Sequence, residues 1–178
     1  MPLPFSQLTN TGAIYIVDKS TVDLSTVGGG MKIRKQSFGY RFAMLYRLHS
    51  VISSEKISKL GLTMSQVPFM AELFHSEKAL TQNELSKKVA IDKAATARTL
   101  DQLEKNGFVT RTVNPDNRRQ NLIRTTDKGI AVKERLISIL LQTSNAYVKG
   151  FTEKEKAVAL DLLDRMLENA RNACDESK

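Results

Sequence analysis

Between residues 80 and 128 the spacing of hydrophobic positions changes from helical to alternating. Thr81 followed by Glu84 is a T-x-x-E capping box and predicts a helix start, after which Leu85, Val89 and Ile91 are apolar while Lys87 and Lys88 stay polar. Asp92 has the chemistry to cap a second helix, which carries Ala94, Ala95, Ala97, Leu100 and Leu103. Asn106-Gly107 ends it, because both residue types tolerate the left-handed conformation at a helix C-terminus. After Gly107 the period falls to two. Residues 108–113 and 121–125 favour strands, separated by the turn formers of Asn114–Gln120 with Arg118 and Arg119 at the tip.

Two helices joined by about three residues form a helix-turn-helix, and a basic hairpin directly after it makes a winged helix. The plainer alternative is a solvated helix pair with a hairpin of no special purpose. The order of the elements and the placement of charge count against it. Upstream, Phe38, Phe42, Leu45, His49 and Ile52 recur at helical spacing, and Met44, Leu48 and Val51 widen the apolar side. Thr63 with Gln66 predicts a further capped helix through Val67, Phe69, Met70, Leu73 and Phe74, with Pro68 tolerated in its first turn. Downstream, Thr126 or Asp127 opens a long helix through Val132, Leu136, Ile139 and Leu140, reaching toward Tyr147. Gly150 breaks that helix, and Thr152 with Glu155 opens the last one, with Ala157, Leu160, Leu163 and Leu167 on one side.

The predicted fold is therefore mainly α with a small β-hairpin wing. Residues 1–30 form an N-terminal extension with a weak strand-like run at Ala13–Val17, read either as flexible or as leader sequence ahead of a start at Met31. Residues 31–60 hold the N-terminal helix, 61–128 the winged helix-turn-helix and 129–178 the C-terminal helices. The broad apolar stripes of the first and last helices exceed what so small a domain can cover. Burial against a second copy is the economical solution, and a two-fold dimer is the commonest oligomer.

Charge sharpens this picture. The chain of 178 residues carries a net +8, of which +6 falls in residues 31–60 and +4 in 81–128, while 129–178 is balanced. Such an excess suits a polyanion, either nucleic acid or an anionic membrane, and the winged helix decides for duplex DNA. No apolar run approaches the ~18 residues that cross a bilayer. A secretory signal is not expected either, since no Lys or Arg precedes Lys19. The lone Cys174 forbids an internal disulfide and fits a reducing cytoplasm. His49 and His75 lie far apart without nearby second ligands, so no metal site is expected. The absence of a phosphate loop, nucleophile elbow or paired catalytic acids predicts neither an enzyme nor a cofactor.

The runs DKAATARTLDQLEKNG from Asp92 and NPDNRRQNLIRTTDKG from Asn114 resemble the MarR family of bacterial transcription regulators. Asp116-Asn117-Arg118 is similar to that family's D-x-R wing motif, and RTLDQLEKNG resembles its SlyA branch. The likeness spans about Gln36 to Ala173 and departs from the family at Thr125, where Leu is usual, which predicts a local packing change only. It implies a homodimeric, sequence-specific regulator acting on a pseudo-palindromic operator, with the helix at Phe38–Ile52 in the dimer interface. On the recognition helix Lys93, Ala95, Thr96, Arg98 and Thr99 would face base edges and phosphates, with Leu100 and Leu103 in the core. Arg118 would enter a narrow minor groove, Asp116 would pair with an arginine to shape the wing, and Arg119 would take a phosphate or a second groove contact. Gln82 and Lys88 would touch the DNA backbone. The resemblance also implies a small aromatic anionic effector, for which Arg41, Tyr46 and His49 are the candidate pocket residues. Cys174 is misplaced for the N-terminal peroxide-sensing cysteine of some relatives. A winged helix that binds RNA or a protein partner is the competing function; an appended catalytic domain has no chain left to build it.

Overall fold

The computed structural model describes residues 37–176, and the chain divides into two compact units, residues 1–55 and 56–178. The expectations for residues 1–30 and for a start at Met31 lie outside the described residues. In the first unit the chain enters helix α1 (Phe38–Ser58), which runs on into the second. Ser37 starts it by accepting the Tyr40 N–H on its hydroxyl at 3.1 Å. The predicted apolar stripe is present, and Phe42, Leu45, Leu48, Val51 and Ile52 are all exposed.

The second unit continues with α2 (Val67–His75), β1 (Leu80–Thr81), α3 (Gln82–Val89), α4 (Lys93–Lys105), β2 (Val109–Val113), β3 (Asn121–Thr125), α5 (Asp127–Ala131), α6 (Lys133–Tyr147) and α7 (Glu153–Glu176). The start of α2 corrects the expected capping box. Gln66 Oε1 does accept the Thr63 N–H at 2.9 Å, but the Thr63 hydroxyl bonds Ser65 instead, and the helix begins only at Val67. The sheet also exceeds the predicted hairpin. Leu80–Thr81 adds a short antiparallel strand to β3, giving the order β1-β3-β2 with Leu80 opposite Ile123. A two-residue strand leaves no alternating signal, which is why period analysis passes over it. Phe69, Met70, Leu80, Leu85, Leu100, Leu103, Phe108 and Ile123 are all buried in one cluster, so the sheet closes over α2, α3 and α4.

The long helix expected after the wing is interrupted. Thr126 caps α5 as predicted, but a turn at Val132 separates α5 from α6. The Leu136 N–H still reaches the Val132 carbonyl at 2.9 Å, so the break is a slackened turn. Glycine and a β-branched residue are weaker helix formers, and Gly129 and Val132 sit at this point. Farther on, Thr152 and Glu155 form the expected capping box, with bonds of 2.8 and 3.3 Å. Helix α7 then runs to Glu176 without burying a single side chain.

Gly129 is fixed by a close crossing. A Cβ placed there would lie 2.3 Å from the Phe108 carbonyl oxygen, which is backbone between α4 and β2 and cannot step aside. Gly129→Ala is accordingly expected to cost about 1–3 kcal/mol or more through overpacking. Chemical denaturation of the two proteins measures this, and unchanged midpoints would show that the crossing is not tight.

Candidate nucleic-acid interface

Local chemistry sets each part of the helix-turn-helix. Thr81 accepts the Glu84 N–H on its hydroxyl at 3.2 Å, and Glu84 Oε2 accepts the Thr81 N–H at 2.7 Å, the reciprocal box expected. The Thr81 backbone bond, and then its hydroxyl, hold the Glu84 carboxyl below its ordinary value of 4.5. Helix α3 ends at Ala90, whose φ of 55° is left-handed, a conformation that an L side chain adopts at some cost. The buried Ser86 compensates, since its hydroxyl donates to the Ile91 carbonyl at 2.6 Å while its own carbonyl accepts the Ile91 N–H at 3.1 Å. Asp92 then caps α4, one carboxylate oxygen accepting the N–H groups of Ala94 and Ala95, both at 2.9 Å.

These constraints decide which side of α4 is presented. Lys93 and Arg98 are exposed, and Ala95 and Thr99 are half-buried, the Thr99 hydroxyl bonding back to the Ala95 carbonyl at 3.0 Å. Thr96 corrects the sequence expectation. It is fully buried and turned toward the Ile91 carbonyl, so it cannot reach a base edge. The signal was available, because Thr96 precedes Leu100 by four residues and Leu103 by seven and so shares their inward stripe. Gln82 is half-buried and donates to the Lys93 carbonyl at 3.4 Å, joining the starts of α3 and α4. Lys88, exposed like its neighbour Lys87, is engaged by Glu72 on α2 at 3.3 Å.

At the wing, Asp116, Arg118 and Arg119 are all exposed. The expected arginine pair of Asp116 is not formed; among the described residues Asp116 has no ion pair. Two asparagines shape the turn instead. Asn114 Oδ1 accepts the Asp116 N–H at 3.0 Å, and Asn117 Oδ1 accepts the Arg119 N–H at 3.2 Å, the local side-chain turns that Asn favours. The residue that sequence reasoning missed is Arg111. From β2 it reaches α4, with Nη1 2.6 Å from Asp101 and 3.6 Å from Glu104, and Nη2 donates to the Ala97 carbonyl at 3.4 Å. Strand alternation places Arg111 on the same face as buried Val109, and Asp101 and Glu104 are three apart on α4, so a signal did exist.

The candidate effector residues are carried by a single helix. Arg41, Tyr46 and His49 all belong to α1, where Arg41 and Tyr46 are exposed and Arg41 donates to the Ser37 carbonyl at 3.1 Å. Two shallow grooves in the second unit are lined by other residues. One of about 500 Å³ lies along Phe151, Val158 and Leu162, and one of about 260 Å³ along Lys56, Lys59 and Arg135. No helix of the described residues is long and apolar enough to cross a membrane.

Comparison with known proteins agrees with this geometry. The MarR family profile matches residues 62–120. The HTH-type transcriptional regulator YdgJ of Bacillus subtilis (strain 168) is 32% identical over 135 residues, which cover 72% of this chain and 80% of that protein. A MarR transcriptional regulator from Methanosarcina mazei Go1 superposes with a TM-score of 0.72 at 27% identity, covering 76% of this chain and 96% of its own. A MarR family regulator from Listeria monocytogenes, solved with a 26mer DNA, shares the fold with a TM-score of 0.73 at 24% identity, covering 78% of this chain and 91% of its own. These relatives are transcriptional regulators, not enzymes.

The Thr81–Glu84 box yields a pH signature. Because the folded pKa of Glu84 is depressed, its contribution is present above the unfolded value and is lost as pH falls through the folded one. A carboxylate in the first helical turn contributes about 0.3–1 kcal/mol. Glu84→Gln is expected to lose about that much at pH 7, and the gap to the parent should close in acid. Denaturation midpoints across pH measure it; a pH-independent gap would remove the carboxylate charge from the account.

Proposed function

We propose that this chain, which belongs to the MarR family of transcription regulators, acts as a cytoplasmic homodimer that reads a pseudo-palindromic duplex DNA site. The observation that carries this reading is the state of its cations. Lys93 and Arg98 on α4, and Arg118 and Arg119 on the wing, are exposed and form no ion pair among the described residues. Lys88 and Arg111, by contrast, are matched with carboxylates. Unmatched cations on the exposed side of α4 and at a hairpin tip suit a duplex, whose phosphates supply the missing charge. The Listeria relative solved with DNA supports the same reading.

In this reading α4 enters the major groove, and Arg98 reads guanine O6 and N7 while Lys93 holds phosphate. Arg118 enters the neighbouring minor groove, where a narrow A·T tract concentrates negative potential. A second copy brings the second pair of contacts, and the apolar faces of α1 and α7 bring the copies together. Modulation by a small aromatic anion near Arg41, Tyr46 and His49 belongs to the proposal through the family resemblance.

Light scattering at micromolar concentration should give about twice the 19.9 kDa chain mass. Replacing Leu160 and Leu163 with charged residues should abolish both the dimer and DNA binding, and a monomeric parent protein would refute this use of the helices. For the contacts, a duplex selected by the protein from a random pool serves as the probe, with duplex RNA as competitor. Arg98→Ala should cost about 1–3 kcal/mol on the selected duplex and relax preference at one base pair. Arg118→Ala should weaken binding most where the flanks are A·T-rich. If neither substitution changes affinity by more than about twofold, or if RNA competes equally, sequence-specific DNA binding through this surface is wrong.

A further inference from the structure

The bonds made by Arg111 are out of proportion to what they add to stability. Its guanidinium meets Asp101 at 2.6 Å and Glu104 at 3.6 Å and donates to the Ala97 carbonyl at 3.4 Å. Its backbone N–H donates to Glu104 Oε1 at 3.2 Å, so Glu104 grips both the main chain and the side chain of the same wing residue. Nε, however, is buried with no acceptor. A largely buried charge carrying an unsatisfied donor gains little net stability, since desolvation offsets much of the attraction. Such a network has one other effect. It fixes where β2 lies against α4, and it does so from one exposed side of the helix, because Asp101 and Glu104 are both exposed. Ala97, the third partner, directly precedes Arg98.

The geometry points to Arg111 as a positioning residue for DNA recognition, one that holds the wing in register with α4 so that Arg118 and Arg98 engage their grooves together. This rests on the DNA-binding reading above. Arg111 itself need touch no DNA. With the clamp intact, α4 seated on its bases places the wing tip on its flank without further loss of freedom. With the clamp open, the hairpin keeps its buried base at Val109 and Ile123 and its strand pairing, but its outer part loses the side-chain tie to α4 and must be ordered anew when it meets the minor groove.

The test is a set of double-mutant cycles in the full chain, using the duplex that the parent protein selects from a random pool and a copy with its A·T flanks changed to G·C. Asp101→Asn opens the clamp at an exposed helix position without touching the core, and Arg111→Gln opens it from the other side. In the parent background Arg118→Ala should cost roughly tenfold in affinity, whereas in either opened background it should cost less than threefold. The effect of Arg98→Ala should be the same in all backgrounds within about twofold. Amide hydrogen exchange without DNA should speed up in residues 109–125 while α2 and α4 keep their protection. A purely stabilising Arg111 would leave the cost of Arg118→Ala unchanged in the opened backgrounds, and that result would overturn the proposal. If Arg98→Ala and Arg118→Ala are both silent in the parent background, the DNA-binding reading itself fails and takes this one with it, an outcome distinguishable from the first. Unaltered exchange in the wing of both opened variants would equally overturn it.

Discussion

The winged helix is organised by one close crossing, the Phe108 main chain against Gly129. The connection from α4 into β2 meets there the return of the chain from β3 into α5. Thr126 ties the crossing together. Its N–H donates to the Phe108 carbonyl at 3.0 Å, its hydroxyl donates to the Gly107 carbonyl at 2.6 Å, and the same oxygen accepts the Gly129 N–H at 3.1 Å to cap α5. Lys128 adds its ammonium to the Asn106 carbonyl at 2.7 Å, at the negative end of the α4 dipole, and lies 4.7 Å from the centre of the Phe108 ring. Both ends of the hairpin are thus fixed at the same point. The position of the wing tip then depends on the pairing of β2 with β3 and on whatever holds β2 to the helix.

That division explains the uneven distribution of chemistry on α4. Its inward stripe, Thr96, Leu100 and Leu103, is fully buried and makes the helix part of the core. A second side carries Ala97, Asp101 and Glu104 and is committed to Arg111. Only the remainder, with Lys93 and Arg98, is left for a partner. A short helix serving three purposes has few positions per purpose. A misassignment such as that of Thr96 therefore removes a sizeable share of the supposed recognition surface.

The sequence made the helix-turn-helix legible because its signals are local and redundant. Thr81 with Glu84, Asp92, and Asn106-Gly107 each mark a boundary through bonds within one turn, and the structure contains those bonds. The motif around Thr126 was legible as a pattern, but its physical cause lies nineteen residues away at Gly107, beyond any local rule. Non-local partners account for the other misses. β1 exists only because β3 comes alongside it, and Arg111 is explained only by α4; Asp116 is the exception, its expected role taken by two asparagine side chains that shape the turn locally. Period-two reasoning did contain Arg111, since it falls in step with Val109. A strand-forming residue is easily read for propensity alone, whereas the meaning of its charge depends on the acidic pair of the preceding helix.

Helix α7 carries the argument for a second copy further than its apolar pattern alone. An isolated helix in water is marginal, and most helices in proteins are held by burying one face. α7 has 24 residues and buries none of them, and Leu160 and Leu167 are 62% and 54% exposed. Its capping box and the Lys156–Glu153 pair at 2.6 Å act only on its first turn, and an exposed pair of this kind contributes little. Neither term reaches Leu163 or Leu167, three turns farther on. The second copy proposed above would bury that face, and it is the one partner always present at matching concentration. Two-fold pairing would relate the two recognition helices by the same axis, which links the apolar face of α7 to the inverted repeat proposed for the DNA.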